Sequence, residues 1–503
     1  MLHGVRPRSR LVVLSSFVLA TAVGAACAGT DQGVTATRSR QIETASTDPV
    51  PETTQQPLNT DPDNPLDPPD DTTPAPPADE VIIDFGAEKT PQPYDNFLNA
   101  AFADVNRFWE ENFEAVYGAP WQPLSAIYAH YPERSDLPES CQGGVPYEEV
   151  EANAFYTTCG DIIVYDDSFL LPDLVDKLGT AAVGVVAAHE FGHAIQARAG
   201  VFDLDLPTIA TEQQADCFAG AWAARIARGE SPGLQFTDTD VKGGIIAMIE
   251  VRDPPGTDSA NDGSGHGTAF DRVGAFQEGF INGIERCVRF IDEPNPRIDL
   301  VFTEADIDTQ GNLPFPEILA LLPPSLDTFW VPTLEASGVP FTPPTVEALT
   351  AASTCDGRGA AELENTVAFC LDANTIVYDE VFAQDVSQRI GDSSFGYLMA
   401  AAYADAVQHA LSSTLTGEPR VLLNDCLIGP WINDIVPDDT GVATNPNQQV
   451  QLSAGDLDEI VLTAVLLGDE ATSTNVLGTA FEKIDAVRAG VLGGMASCQA
   501  RIG

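Results

Sequence analysis

Two histidines four residues apart, with a glutamate beside the first, carry the clearest chemical signal in the chain: His189-Glu190-Phe191-Gly192-His193. On a helix such positions share a face about 6 Å apart along the axis, so both imidazoles can converge on one ion. Glu190, one residue after His189, cannot join them as a ligand but can reach a metal-bound water as general base. Catalytic zinc takes three protein ligands and keeps a fourth position open. Glu212, nineteen positions after His193, is the candidate third ligand. Asp216, four residues further, can accept the N–H of a ligating imidazole and so fix its tautomer. Asp216 as the ligand in place of Glu212 is the alternative. His266, in Gly263-Ser-Gly-His-Gly-Thr268, is the best remaining donor for a developing oxyanion. Arg272 could serve there too, or could pair with an acid.

These groups need elements to hold them. The run Gly179 to Gln196 is small and apolar around the motif, as a buried helix would be, and Gly200 is a plausible stop. Phe218, Ala219, Trp222, Ala223 and Ile226 form a helical apolar stripe behind Glu212 and Asp216. A helix is expected from Ala269 to Val288, another from Phe97 to Tyr117, and a strand over Asp161–Asp166. Before these, residues 1–27 read as an export signal, with Arg6, Arg8 and Arg10 ahead of the apolar stretch Leu11 to Ala20. Val23-Gly-Ala-Ala-Cys27 is similar to a bacterial lipobox with its branched residue one place early, making Cys27 the expected lipidation site. Residues 28–82, rich in Pro, Thr and Asp, cannot bury enough apolar surface to fold and read as a tether.

The charge balance narrows the partners. With 24 basic against 75 acidic residues the formal net charge is -51, which repels nucleic acid and argues against a basic membrane-binding face. At 44% hydrophobic residues, disorder of the whole chain is not expected. Nine cysteines, Cys27 alone and eight in two sets of four, suit an exported protein with four disulfides.

The stretches His189-Glu-Phe-Gly-His-Ala-Ile-Gln196, Glu212 to Trp222 and His266-Gly-Thr-Ala-Phe-Asp-Arg-Val273, with Phe276, Gly279, Phe280 and Cys287, resemble the bacterial neutral zinc metallopeptidases. The resemblance covers about Phe97 to Phe290. It implies an α+β, mainly helical, zincin-like fold, one Zn2+ held by His189, His193 and Glu212, and Glu190 as catalytic base. Ala194 stands where relatives usually carry a further histidine, and Glu250-Val-Arg-Asp253 replaces an acidic Gly-Asp-Asp-like segment. Neither change touches a ligand position.

The second half of the chain echoes the first. Phe108-Trp109 is answered by Phe329-Trp330, Asp216-Cys217 by Asp425-Cys426, Gly220 and Trp222 by Gly429 and Trp431, and Gly267-Thr-Ala-Phe-Asp-Arg-Val273 by Gly478-Thr-Ala-Phe-Glu-Lys-Ile484. Ordered similarity in so many places argues for duplication. Ala401, Ala402 and Asp405 align with His189, Glu190 and His193, Val421 with Glu212, and Leu477 with His266, so no zinc site of this type is expected there. Asp425 is expected to have nothing to orient, and His409 to be a surface residue. The expected organisation is a zinc peptidase domain at 83–295 followed by a degenerate copy at 296–503, the two free to dock on one another. The repeat suggests the disulfides Cys141–Cys159 and Cys217–Cys287, mirrored by Cys355–Cys370 and Cys426–Cys498. The expected function is an exported, membrane-anchored zinc peptidase acting on peptide or protein substrates. The alternatives are a surface-tethered binding scaffold with structural zinc and a zinc hydrolase of non-peptide bonds.

Overall fold

A computed structural model describes residues 82–137, 145–256, 265–298, 300–303, 306–437, 445–467 and 478–499. The export signal, residues 28–81 of the tether, Cys27, Cys141 and Leu477 lie outside the described residues. Among the described residues no helix is long and apolar enough to cross a membrane.

The front half opens with β1 (Ile83–Asp84), α1 (Asp95–Tyr117), β2 (Ala126–His130), β3 (Ala154–Thr157) and β4 (Ile162–Asp166). Their sheet runs β1-β2-β4-β3, parallel except for β3, which pairs antiparallel with β4 and forms one edge. Six helices follow: α2 (Leu170–Leu178), α3 (Thr180–Ala199), α4 (Thr208–Ala227), α5 (Asp238–Glu250), α6 (Ala269–Asn282) and α7 (Ile284–Val288). The chain is mainly helical with a small mixed sheet, as expected.

Helix α3 is buried on every side from Ala181 to Gln196, because its small residues let neighbours come close. Gly184 lies under the rings of Phe97 and Trp222. Gly192, between the two histidines, faces Ala215, between Glu212 and Asp216; a Cβ at Gly192 would lie 2.9 Å from the Ala215 Cα. That contact draws α3 and α4 together where their chemical groups are. The helix ends at Gly200, whose φ of 72° suits glycine. Helices α4 and α6 touch even more closely: a Cβ at Gly220 would sit 2.0 Å from the Phe276 carbonyl oxygen, and one at Gly279 would sit 1.8 Å from that of Cys217. The Cys217–Cys287 disulfide joins α4 to α7 beyond this crossing.

One expectation is corrected. Ala269 to Val288 is not one helix: Gly283, at φ 75° and ψ -176°, breaks it into α6 and α7. Glycine alone adopts that conformation without strain.

The rear half contains α8 (Phe315–Ala336), β5 (Thr345–Ala348), β6 (Thr354–Cys355), β7 (Arg358–Gly359), β8 (Val367–Cys370) and β9 (Thr375–Tyr378). Then come α9 (Glu380–Arg389), α10 (Asp392–Ala410), α11 (Glu418–Ile435), α12 (Asp456–Leu467) and α13 (Ala480–Gln499). Strand β9 pairs parallel with β5 and antiparallel with β8, the same pattern that β4 makes with β2 and β3. In α13 a non-helical Gly494 precedes Cys498 by four residues, as Gly283 precedes Cys287. Disulfides Cys355–Cys370 and Cys426–Cys498 are formed. Cys159 is also disulfide-bonded. One continuous apolar core runs from Ile83 through both halves to Cys498.

Candidate metal centre

The α3–α4 contact brings the three expected ligands together. His189 Nε2 lies 3.2 Å from Glu212 Oε2, and His193 Nε2 lies 3.4 Å from Glu212 Oε1. The two imidazole rings stand nearly perpendicular with centres 4.9 Å apart. All three residues are buried, and their donor atoms lie within 4.8 Å of one another. Glu212 Oε2 is buried with no hydrogen-bond donor satisfying it. Two imidazole nitrogens and one carboxylate, with a buried oxygen left over, are the donor set and count that catalytic zinc uses. The residues fit the ion.

Each imidazole is aimed from behind. His189 Nδ1 is 2.7 Å from Asp216 Oδ1, so Asp216 faces the far side of the ring and is not the ligand. Arg272 donates from Nε and Nη2 to Asp216 at 3.0 and 2.8 Å, and from Nη1 to the Val251 carbonyl at 2.7 Å. Arg272 therefore pairs with an acid; it does not face an oxyanion. His193 Nδ1 meets Gln196 Oε1 at 2.9 Å, while the Gln196 amide donates to the Thr211 carbonyl and to Gln214 Oε1. Gln196 is a residue sequence reasoning missed. Its position three residues after His193, on the same helical face, was the available signal.

Glu190 sits apart from the ligand cluster, with Oε2 accepting the backbone N–H of Tyr156 on edge strand β3 at 3.0 Å. Burial raises its pKa, and the two histidines partly offset that. For His189, burial opposes the charged ring, but Asp216 and Glu212 outweigh it and lift its pKa to about 10. Glu212 is likewise opposed by burial, yet His193 and His189 pull it well below the usual carboxylate range. Imidazoles and carboxylates thus favour one another's charged forms, and a cation binding here competes with protons. His266 is partly exposed, with Nδ1 3.5 Å from Asp253 Oδ1.

Asp405 accepts from Arg420 Nε at 2.9 Å and from the Asn424 amide at 2.7 Å. Asp425 accepts from the Tyr397 hydroxyl at 2.5 Å and from Lys483 Nζ at 2.7 Å. Lys483 thereby holds Asp425 as Arg272 holds Asp216. His409 is exposed. The described residues contain one other cluster of metal-ligand types, the carboxylates Asp392, Asp456 and Glu459.

Comparison with known proteins agrees with the front-half geometry. Residues 75–290 match the family model described as "Putative neutral zinc metallopeptidase". An uncharacterized protein of Mycobacterium tuberculosis is 30% identical over 172 residues, which are 30% of this chain and 58% of the relative. The uncharacterized protein YpfJ of Escherichia coli is 26% identical over 208 residues, 37% of this chain and 68% of the relative. The chain thus covers 58% of the mycobacterial relative's length. No solved structure gives a significant match. Residues 75–290, less than half of the chain, are thus similar to the neutral zinc metallopeptidase family.

Proposed function

We propose that the front half is a zinc-dependent peptidase. The observation that carries this reading is Glu190: a buried carboxylate next to His189 in the chain, outside the group of His189, His193 and Glu212, and aimed by the Tyr156 N–H at 3.0 Å. A purely structural zinc has no use for such a group. Zinc held by His189, His193 and Glu212 would polarise a substrate carbonyl and make a water acidic near neutral pH. Glu190 takes the proton from the attacking water and returns it to the leaving amine. In this reading His266 donates toward the developing oxyanion. β3 is an edge strand beside Glu190, so an extended peptide can lie along it by backbone pairing.

The rear half, in this reading, is a diverged copy of the front. Its support is the repeated strand pairing, the paired glycines at the α11–α13 crossing (Gly429 and Gly490, each too close for a Cβ) and the matching disulfides. The indole N–H of Trp431 donates to Ser325 on α8 as that of Trp222 does to Asp104 on α1. We further infer that the chain acts outside the cytoplasm, tethered through Cys27. Disulfides in both halves support an oxidising compartment.

The test is zinc content and peptide cleavage by the wild-type chain and Glu190→Gln. Both should carry one zinc, and the variant's kcat should fall by about 10²–10⁴. Equal cleavage by both would remove Glu190 from the chemistry. Zinc without cleavage in either would make the metal structural and the chain a scaffold.

A further inference from the structure

The metal centre is braced by residues some two hundred positions further along the chain. Asp458, in the first turn of α12, turns both oxygens toward the front half. Its Oδ2 accepts from Arg252 Nε at 3.0 Å, and its Oδ1 accepts from the backbone N–H of Phe270 at 3.3 Å. Phe270 is the second residue of α6, where unpaired N–H groups favour an anion. Arg488 of α13 donates to the carbonyl of the same Phe270 and stacks over its ring at 4.2 Å. Asp458 and Arg488 are 5% and 6% exposed, so both polar groups of Phe270 are held by buried rear-half charges.

The bonds made by Asp458 fall on either side of one contact in the site. Arg252 adjoins Val251, whose carbonyl accepts from Arg272, and Phe270 lies two residues before Arg272 on α6. Arg272 holds Asp216, and Asp216 holds His189 Nδ1. If Arg252 and the start of α6 drift apart, Arg272 must follow one or the other. Either movement tilts the carboxylate that aims His189.

We infer that Asp458 is a positioning residue for the metal centre: by tying Arg252 to the first turn of α6 it fixes Arg272, and through Asp216 the orientation of His189. This inference rests on the ligand set proposed above. The rear half is then a working part of the site, and its loss of metal ligands did not free it to be lost.

The experiment uses the full chain and measures zinc Kd by competition with a chromophoric chelator, kcat and KM on a peptide, and thermal unfolding. Asp458→Asn keeps the size but turns an amide NH2 toward one of the two donors. Its zinc Kd should rise roughly tenfold, the lower end of what residues behind metal ligands contribute, with kcat falling similarly and KM unchanged. Phe481→Ala is the comparator: it removes the Phe280–Phe481 contact, 4.8 Å between ring centres, at the far end of the same interface. That change should lower the unfolding temperature yet leave zinc Kd within about twofold. Combined with Arg272→Lys, Asp458→Asn should add little, because the two act through one chain of contacts. Should Asp458→Asn fail to fold, Arg252→Gln cuts the same tie from its more exposed end and should raise zinc Kd alike. Wild-type zinc affinity in Asp458→Asn, or equal weakening by Phe481→Ala, would overturn the proposal. Zinc binding without peptide cleavage in the wild type would sink the peptidase reading alone, since the zinc comparison is still read.

Discussion

Asp216 has two oxygens for three donor contacts: His189 Nδ1 and Arg272 Nη2 share Oδ1, and Arg272 Nε takes Oδ2. Its pKa stays low despite burial because Arg272 and His189 surround it. Asp216→Asn would keep the volume but leave Arg272, 1% exposed, without a full counterion. A broken buried pair of this kind costs about 3–5 kcal/mol, so the unfolding free energy should drop by that order. Zinc affinity should fall about 10–100-fold, as read by chelator competition. Wild-type affinity in that variant would show that His189 needs no outside orientation. The grouping of His189 and His193, with Glu190 beside them, was legible in the sequence because metal chemistry demands those types at that spacing on one helix. Asp216 was legible only as one of two alternatives, since ligand and orienting acid differ by which side of the imidazole they face. The Tyr156 N–H left no sequence signal, because every residue but proline carries one. Arg272 stands 56 residues from Asp216, and only the α4–α6 packing chooses between its two readings.

At the scale of elements, the position of Glu212 depends on how closely α4 can approach its neighbours. A Cβ at Gly220 would meet the Phe276 carbonyl oxygen at 2.0 Å, and one at Gly279 would meet that of Cys217 at 1.8 Å. Both obstacles are backbone, so no side chain can swing away and the helices themselves must part. Gly220→Ala should therefore cost about 3 kcal/mol or more in denaturant unfolding, at the upper end for overpacking. It should also weaken zinc, because α4 carries Glu212. The same crossing is locked by Cys217–Cys287, which closes a loop of 70 residues. The entropy of a loop that long makes the bridge worth about 4 kcal/mol, so replacing both cysteines by alanine should lower stability by that order. An unchanged midpoint would mean the crossing holds without the bridge. The sequence foretold the bridge and the helices but not the break at Gly283. A single glycine in an apolar-periodic stretch reads equally as packing or as an ending. Only its φ of 75° with an extended ψ decides.

Across the whole molecule, 75 acidic residues outnumber 24 basic ones, and three of the acids are buried together. Asp392, Asp456 and Glu459 bring carboxylate oxygens within 4.8 Å of one another in the rear half. Each accepts a backbone N–H, from Leu313, Ser453 and Ser393 in turn. Asp392 and Asp456 also open α10 and α12, where helix ends favour negative charge. Those contacts are outweighed. Burial first, with mutual repulsion added at Asp456 and Glu459, holds all three above the ordinary carboxylate range. An acid whose pKa is higher folded than unfolded keeps a proton that the unfolded chain releases. Stability is therefore lost as pH climbs from about 4, where unfolded carboxylates ionise, through the raised folded values. Asp456→Asn keeps an oxygen for the Ser453 N–H and removes one charge from the cluster. The unfolding temperature of the wild type should thus fall relative to that of Asp456→Asn as pH is raised from 5 to 8, a direction opposite to that expected of a paired carboxylate. Subtracting the two curves cancels the histidines and acids of the front half, which both chains share. A constant difference across that range would mean that the three carboxylates are already ionised together at pH 5, and that something other than protons offsets their repulsion.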